Sequence, residues 1–236
     1  NSIDAPAIRI PPELSRHFDI FLTGAEWQSE EICARHPDAL CAVMPIGPEF
    51  ASDLTFHPTG AAKDYDVVYV AATQPYKRHD LLLSALAPGM RALCVVGYGH
   101  MTGELAAEAR ARGLDVDWLG PVSHDAVNAL INRAKVGVVC GVADGAPAIL
   151  TEYMLAGLPV LANAGLACGR QYITPETGLL APEADFGAAL RNLVETHGNY
   201  RPRDVVRRNW TWPHSVRRLS SLIDDARARR AKKVLA

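Results

Sequence analysis

The chain has 236 residues, of which 49% are hydrophobic and 21% charged, and its formal net charge is −2. That is enough chain to bury a sizeable core, as one large domain or a domain plus a smaller piece, and the balance excludes disordered and fibrous classes. No run approaches the ~20 apolar residues of a spanning helix and no basic-then-apolar leader opens the chain, so a soluble, cytoplasmic protein is expected. Because it begins at Asn1 rather than at a methionine, an upstream portion is expected to be missing.

In chain order, FDIFLTG (18–24) reads as a strand, AEWQSEEICARH (25–36) as a helix and LCAVMPIG (40–47) as a second strand. This strand-helix-strand piece within residues 1–50 is too small for a core of its own. Residues 51–65 are polar and turn-rich, as a linker is. From position 66, short apolar strands alternate with amphipathic helices, the pattern of a parallel sheet covered on both faces, so residues 66–211 are expected to form an α/β, Rossmann-like domain. The expected strands are 66–72, 91–97, 116–120, 135–141, 158–163 and 178–181, and the expected helices 79–87, 103–113, 123–134, 146–157 and 183–196. KVGVVCG (135–141), continuous and β-branched, suits a central strand buried on both sides. Ser123 is an expected N-cap ahead of the apolar stripe Val127, Leu130 and Ile131. A helix over 212–233 closes the chain, within a 212–236 segment that ends in basic residues. Residues 201–236 carry eleven Arg or Lys against three acids, so this stretch holds +8 and the remainder −10. A solvated helix face is the first reading of that tail. Peripheral contact with the anionic inner face of a membrane is the alternative, and no nucleic acid is expected.

Ligands of open parallel sheets bind beyond the carboxyl ends of the strands. Four loops there stand out, 71–77, 97–103, 120–122 and 141–148. In the last, strand 135–141 runs through Asp144, Gly145, Ala146, Pro147, Ala148 and Ile149 into a helix. N–H groups at a helix start lack partners and, with the helix dipole, favour a phosphate; Pro147 suits the first turn. Asp144 precedes the helix and Glu152 lies inside it, with seven residues between them. A carboxylate accepts hydrogen bonds from two adjacent hydroxyls, which makes such acids sugar and ribose readers. The plainer roles are N-capping for Asp144 and a solvated helix position for Glu152.

DGAPAILTEYMLAGLPVLAN (144–163) resembles the signature of the group 1 retaining glycosyltransferases of the GT-B fold, built from two Rossmann-like domains: an acid, seven residues, Glu, a helix of small residues, Gly-x-Pro and an apolar strand. Asp144, Glu152, Gly157, Pro159 and Val160 appear in that order, with Asp where the family more usually has Glu. VVYVAATQPYKRHDLLLSAL (67–86) is similar to the first strand of the family's donor domain, and Lys77 falls where a lysine contacts the donor diphosphate. CVVGYG (94–99) resembles its second strand and glycine turn, with Gly97 and Gly99, and 115–139, with Val122, resembles the segment beside the nucleobase. ETGLLAP (176–182) resembles the loop after the signature, NWTWPHSVRRL (209–219) its closing helix, and 18–50 the end of its acceptor domain. The resemblance implies transfer of a sugar from a nucleotide-diphosphate donor to a sugar, lipid or other small-molecule acceptor, with retention and without a cofactor or required metal. It assigns Lys77 to the diphosphate, Asp144 to the donor sugar and Glu152 to the ribose.

One departure weakens the phosphate site. The family places a Gly-Arg pair early in the first loop, where this chain has Ala71 and Ala72. Losing a guanidinium removes a contact of typically ~1.5–3 kcal/mol unless Arg78, His79 or His100 substitutes. Two alternatives follow: a catalytically inactive module that still binds a nucleotide or nucleotide sugar, and an NAD(P)-dependent oxidoreductase suggested by the glycine string 97–103. The five cysteines, Cys33, Cys41, Cys94, Cys140 and Cys168, are odd in number and form no C-x-x-C pair, so buried free thiols are expected rather than disulfides or zinc.

Overall fold

The structure, a computed structural model, describes residues 11–234, so the first ten residues of the 1–50 piece and the last two of the 212–236 tail lie outside the described residues. A short helix α1 (Pro12–Ser15) leads into β1 (Ile20–Thr23), α2 (Glu26–Arg35) and β2 (Leu40–Val43), and β1 and β2 pair in parallel. α2 lays Ile32 onto Phe21 and Ala39, a small buried cluster against which Cys41 packs.

The main sheet contains β3 (Tyr65–Val70), β4 (Arg91–Val95), β5 (Asp115–Leu119), β6 (Ala134–Val139), β7 (Val160–Asn163) and β8 (Gly178–Ala181). Its spatial order is β5-β4-β3-β6-β7-β8, parallel throughout. Alternation along each strand divides the core in two. Val68, Leu93, Val95, Val160 and Ala162 face one side, against α5 (His124–Ile131), α6 (Ile149–Leu155) and α8 (Pro202–Asn209). Val67, Tyr69, Cys94, Val136, Val138 and Leu161 face the other, against α3 (His79–Ala85), α4 (Thr102–Ala111) and α7 (Phe186–Thr196). This is the Rossmann-like doubly covered sheet that the sequence predicts. The Ser123 hydroxyl caps α5 by accepting the Ala126 N–H. Cys94, Cys140 and Cys168 are buried, and Cys33 and Cys41 half-buried.

Three details differ from expectation. α8 lies in a stretch to which the sequence reading assigned no element; Val205 and Val206 are its buried aliphatic pair, and Pro202 opens it. α6 starts at Ile149 rather than 146, because Ala146 takes φ 43°, a left-handed value that a helix cannot include. Several strands stop one to four residues short of their apolar runs, whose last residues turn into the loops.

The segment between β2 and β3 runs tied along α5. Asn128 Oδ1 accepts the His57 N–H at 3.1 Å, Asn132 Oδ1 accepts that of Thr59 at 2.9 Å, and Lys63 Nζ donates to the Asn132 carbonyl at 2.8 Å. The closing helix α9 (Trp212–Val234) returns to the small unit. There Glu49, only 3% exposed, accepts from Tyr172 Oη at 3.2 Å, from Ser215 Oγ at 3.2 Å and from Arg218 at 3.0 Å. Burial raises the Glu49 carboxyl above its ordinary value although Arg218 pulls it down.

Candidate active site

The chain moves outward from β3 through β4 to β5, then returns to β6 on the other side of β3. The loops leaving β3 and β6 therefore diverge to opposite faces and open a crevice between them, the usual ligand position of such sheets. Lys77 ends a short 3-10 turn, Pro75–Lys77, after which Arg78 takes a left-handed conformation and sends the chain into α3. Tyr69 Oη donates to the Lys77 carbonyl at 2.6 Å, anchoring that turn to the sheet. Lys77 Nζ reaches across the crevice to an ion pair with Asp144 Oδ2, and it lies 5.1 Å from the centroid of the Tyr76 ring. The other Asp144 oxygen accepts the Gly145 N–H at 3.0 Å. The 140–148 loop is held by Asn163 Nδ2 on the Cys140 carbonyl at 3.1 Å and by the Ala167 N–H on the Val142 carbonyl at 2.9 Å. The structure thus brings Asp144 and Lys77 together, and Asp144 is not a helix N-cap: it precedes α6 by five residues and caps only its own turn.

Glu152 stands one turn into α6 and is half-buried rather than solvated. Burial raises its carboxyl to about 7. Its neighbours fix the helix. Tyr153 Oη accepts the Val70 N–H at 2.7 Å beneath the sheet, and Thr151 Oγ1 donates to the Pro48 carbonyl at 3.0 Å. Ala146 and Ile149 are buried, and the polypeptide through Pro48 lies against this side of α6. Pro147 and Ala148 lie outside the helix proper, and within the turn 145–149 Pro147 has no N–H and Gly145 gives its own to Asp144 Oδ1.

A second concavity of about 200 Å³ opens at the ends of β4 and β5, lined by Gly97, Tyr98, Gly99, Trp118, Gly120 and Pro121 among others. Its shape depends on two glycines. A Cβ on Gly99, at φ 123°, would lie 2.4 Å from Thr73 Oγ1, and one on Gly120, at φ 137°, would lie 1.8 Å from the Val96 carbonyl oxygen. Gly99 therefore serves close loop packing, and the 97–103 string follows the second strand of the sheet, not the first; both features tell against a dinucleotide fingerprint. Val122 follows this lining but packs against the α5–α6 core.

The substitutes for the missing arginine fare unequally. Arg78 is committed to Asp80 at 3.0 Å and Glu183 at 2.7 Å. His79 is 3% exposed between the rings of Tyr69 and Trp118, with centroids at 4.7 and 6.0 Å, and neither ring nitrogen has a partner. Burial pulls its pKa down to about 4, so it is a neutral packing group at pH 7. His100 is exposed on the glycine loop. Trp210 and Trp212 stand edge-on to Tyr172 and Phe50, at 4.8 and 4.9 Å. The sequence reading missed Tyr76 and Tyr98; the signal was their place in strand-end loops. Among the described residues no group of three or more His, Cys, Asp or Glu could hold a metal, and no helix is long and apolar enough to cross a membrane.

Residues 54–203 match the family model described as glycosyl transferases group 1. Among solved structures, sucrose-phosphate synthase from Thermosynechococcus elongatus is 20% identical with a TM-score of 0.75, over 92% of this chain and 60% of that one. TarM from S. aureus, in complex with Fondaparinux, alpha-GlcNAc-glycerol and UDP, is 15% identical with a TM-score of 0.71, over 86% of this chain and 43% of that one. HepE from Anabaena, in complex with UDP, is 14% identical with a TM-score of 0.78, over 94% of this chain and 68% of that one. These likenesses establish a shared fold, and this chain spans 43% to 68% of each neighbour's length. No curated protein sequence matches it.

Proposed function

This chain belongs to the group 1 glycosyl transferases, and from that premise we propose that it binds a nucleotide-diphosphate sugar in the crevice between the loops after β3 and β6. The bound sugar is transferred with retention, and without a metal, to a sugar, lipid or other small-molecule acceptor. The observation that carries this reading is the meeting of Lys77 and Asp144 at the point where strand order reverses. Negative charge grows on the departing diphosphate, so Lys77, helped by the N–H groups that Asp144 leaves unused at the start of α6, holds it more strongly in the transition state than in the ground state. Asp144 then accepts donor-sugar hydroxyls, Glu152 accepts from the ribose, and the concavity at the ends of β4 and β5 takes the base. UDP, GDP and ADP are the donors' nucleotide products and the natural probes; UDP is present with the TarM and HepE structures. Calorimetric titration with the three should show binding by at least one, and no heat or thermal stabilisation at millimolar ligand with any of them would overturn the reading.

A second reading, a nucleotide-binding module without transfer, is favoured by one observation: with Ala71 and Ala72 at the family's Gly-Arg position, Arg78 held by two acids and His79 neutral, the crevice has one fewer cation for the diphosphate. Binding of a nucleotide sugar with no hydrolysis or transfer to any acceptor would distinguish it.

A further inference from the structure

Tyr76 and Tyr98 are large side chains left open at the ligand end of the sheet, 39% and 67% exposed. They come from the two loops that flank the crevice and the 200 Å³ concavity, and their hydroxyls lie side by side. The backbone beneath Tyr98 is rigid. Its carbonyl accepts the Thr73 N–H at 2.9 Å, the Thr73 carbonyl accepts the Met101 N–H at 3.3 Å, and Thr73 Oγ1 meets Thr102 Oγ1 at 2.9 Å. Gly99 lets this junction close. An aromatic ring on a fixed backbone, with only two side-chain torsions to order, presents a large flat surface at small entropic cost. Here Tyr98 lines a concavity together with Trp118, Leu119, Gly120 and Pro121.

We propose that Tyr98 is the stacking residue for the nucleobase, its ring lying over a planar heterocycle lodged between the ends of β4 and β5. The assignment rests on the donor-binding reading above and adds to it the residue that separates a nucleoside diphosphate from bare diphosphate. The stack reads a π-face rather than a hydrogen-bond edge, so it serves purines and pyrimidines alike. Tyr98 is thus a binding residue that sets affinity, while base identity is left to the concavity's polar edge.

The test is titration of wild type, Tyr98→Ala and Tyr98→Phe with pyrophosphate, UDP, ADP and a UDP-sugar. Stacking predicts that Tyr98→Ala weakens UDP and ADP by roughly tenfold or more, that Tyr98→Phe restores them, and that pyrophosphate binds all three proteins equally. Unchanged UDP affinity in Tyr98→Ala overturns the proposal. So does an equal loss for pyrophosphate, which would mark a loop-stabilising role, or a loss confined to the UDP-sugar, which would place the ring over the sugar. If wild type itself binds no nucleoside diphosphate, the donor reading has failed and the stack falls with it.

Discussion

Glu152 shows most directly how burial and function pull on one group. Its carboxyl rises from an ordinary 4.5 to about 7 through burial. A group raised in the folded state contributes stability that is complete below the unfolded value and is lost as pH climbs through the folded one. Between those two values the loss is on the order of 3 kcal/mol. Glu152→Gln should therefore flatten the pH dependence of Tm and make the protein more stable than wild type at about pH 8, where wild type has to hold a charge in the half-buried position. If Glu152 accepts two ribose hydroxyls as proposed, they favour its ionised form, so nucleotide affinity should rise between about pH 6 and pH 8 in wild type and stay level in Glu152→Gln. A flat wild-type profile would remove Glu152 from the binding surface. For Lys77 the companion matters as much as the ligand. Both partners of the Lys77–Asp144 pair are under one fifth exposed, so Lys77→Met strands a mostly buried carboxylate, at a cost of roughly 2–3 kcal/mol by chemical denaturation. Adding Asp144→Asn to the same chain should recover part of that loss.

At the level of elements, the strand and helix order was legible from 66 onward because period-2 and period-3.6 patterns alternate without interruption. What escaped was set by single backbone residues or by distant partners. α8 has too few apolar positions for a pattern, and it is held by Arg203, which donates to the Leu155 carbonyl, to that of Phe56 at 3.0 Å and to that of Asp53 at 3.4 Å. No local rule connects position 203 with 155, yet the contact sets a cation on the carboxyl end of α6, where the helix dipole favours it. Arg203→Met should cost about 2–4 kcal/mol and lower Tm by roughly 5–12 °C, whereas Arg201→Met, lost from an exposed turn, should change it little. Of the proposed site residues, the motif pointed to Asp144, Glu152 and Lys77. The ion pair could not be read from it, since Lys77 and Asp144 are 67 positions apart and meet only because the strand order reverses between them. The glycine turn was legible as a turn, but its neighbour Tyr98 carried no periodic signal.

Over the whole molecule, the +8 and −10 halves of the charge distribution answer one another. Arg207 pairs with Asp53, Arg208 with Glu176, Arg218 with Glu49 and Arg230 with Asp19. Most of these are exposed and contribute little each, and together they lay part of the basic stretch against the body. Glu49 is the exception, a buried carboxylate joining the loop after β7, α9 and the polypeptide beside α6. Glu49→Ala should raise hydrogen exchange along α9 and near β1 together, with a loss of about 2–3 kcal/mol, and Glu49→Gln, whose one amide oxygen can still accept from Ser215 and Arg218, should lose less. Exchange that rises only next to position 49 would show that packing against the body does not depend on this acid.

The Lys77–Asp144 pair has a consequence for selectivity. Each partner already satisfies the other, so a lone anion such as orthophosphate gains little by displacing a carboxylate from the ammonium and then abandoning it. A molecule that brings a diphosphate for one side and hydroxyl donors for the other recompenses both at once. If the crevice holds a nucleotide sugar as proposed, it acts as a coincidence detector, expected to ignore the abundant phosphate of a cell and to answer to the rarer compound in which both groups are joined.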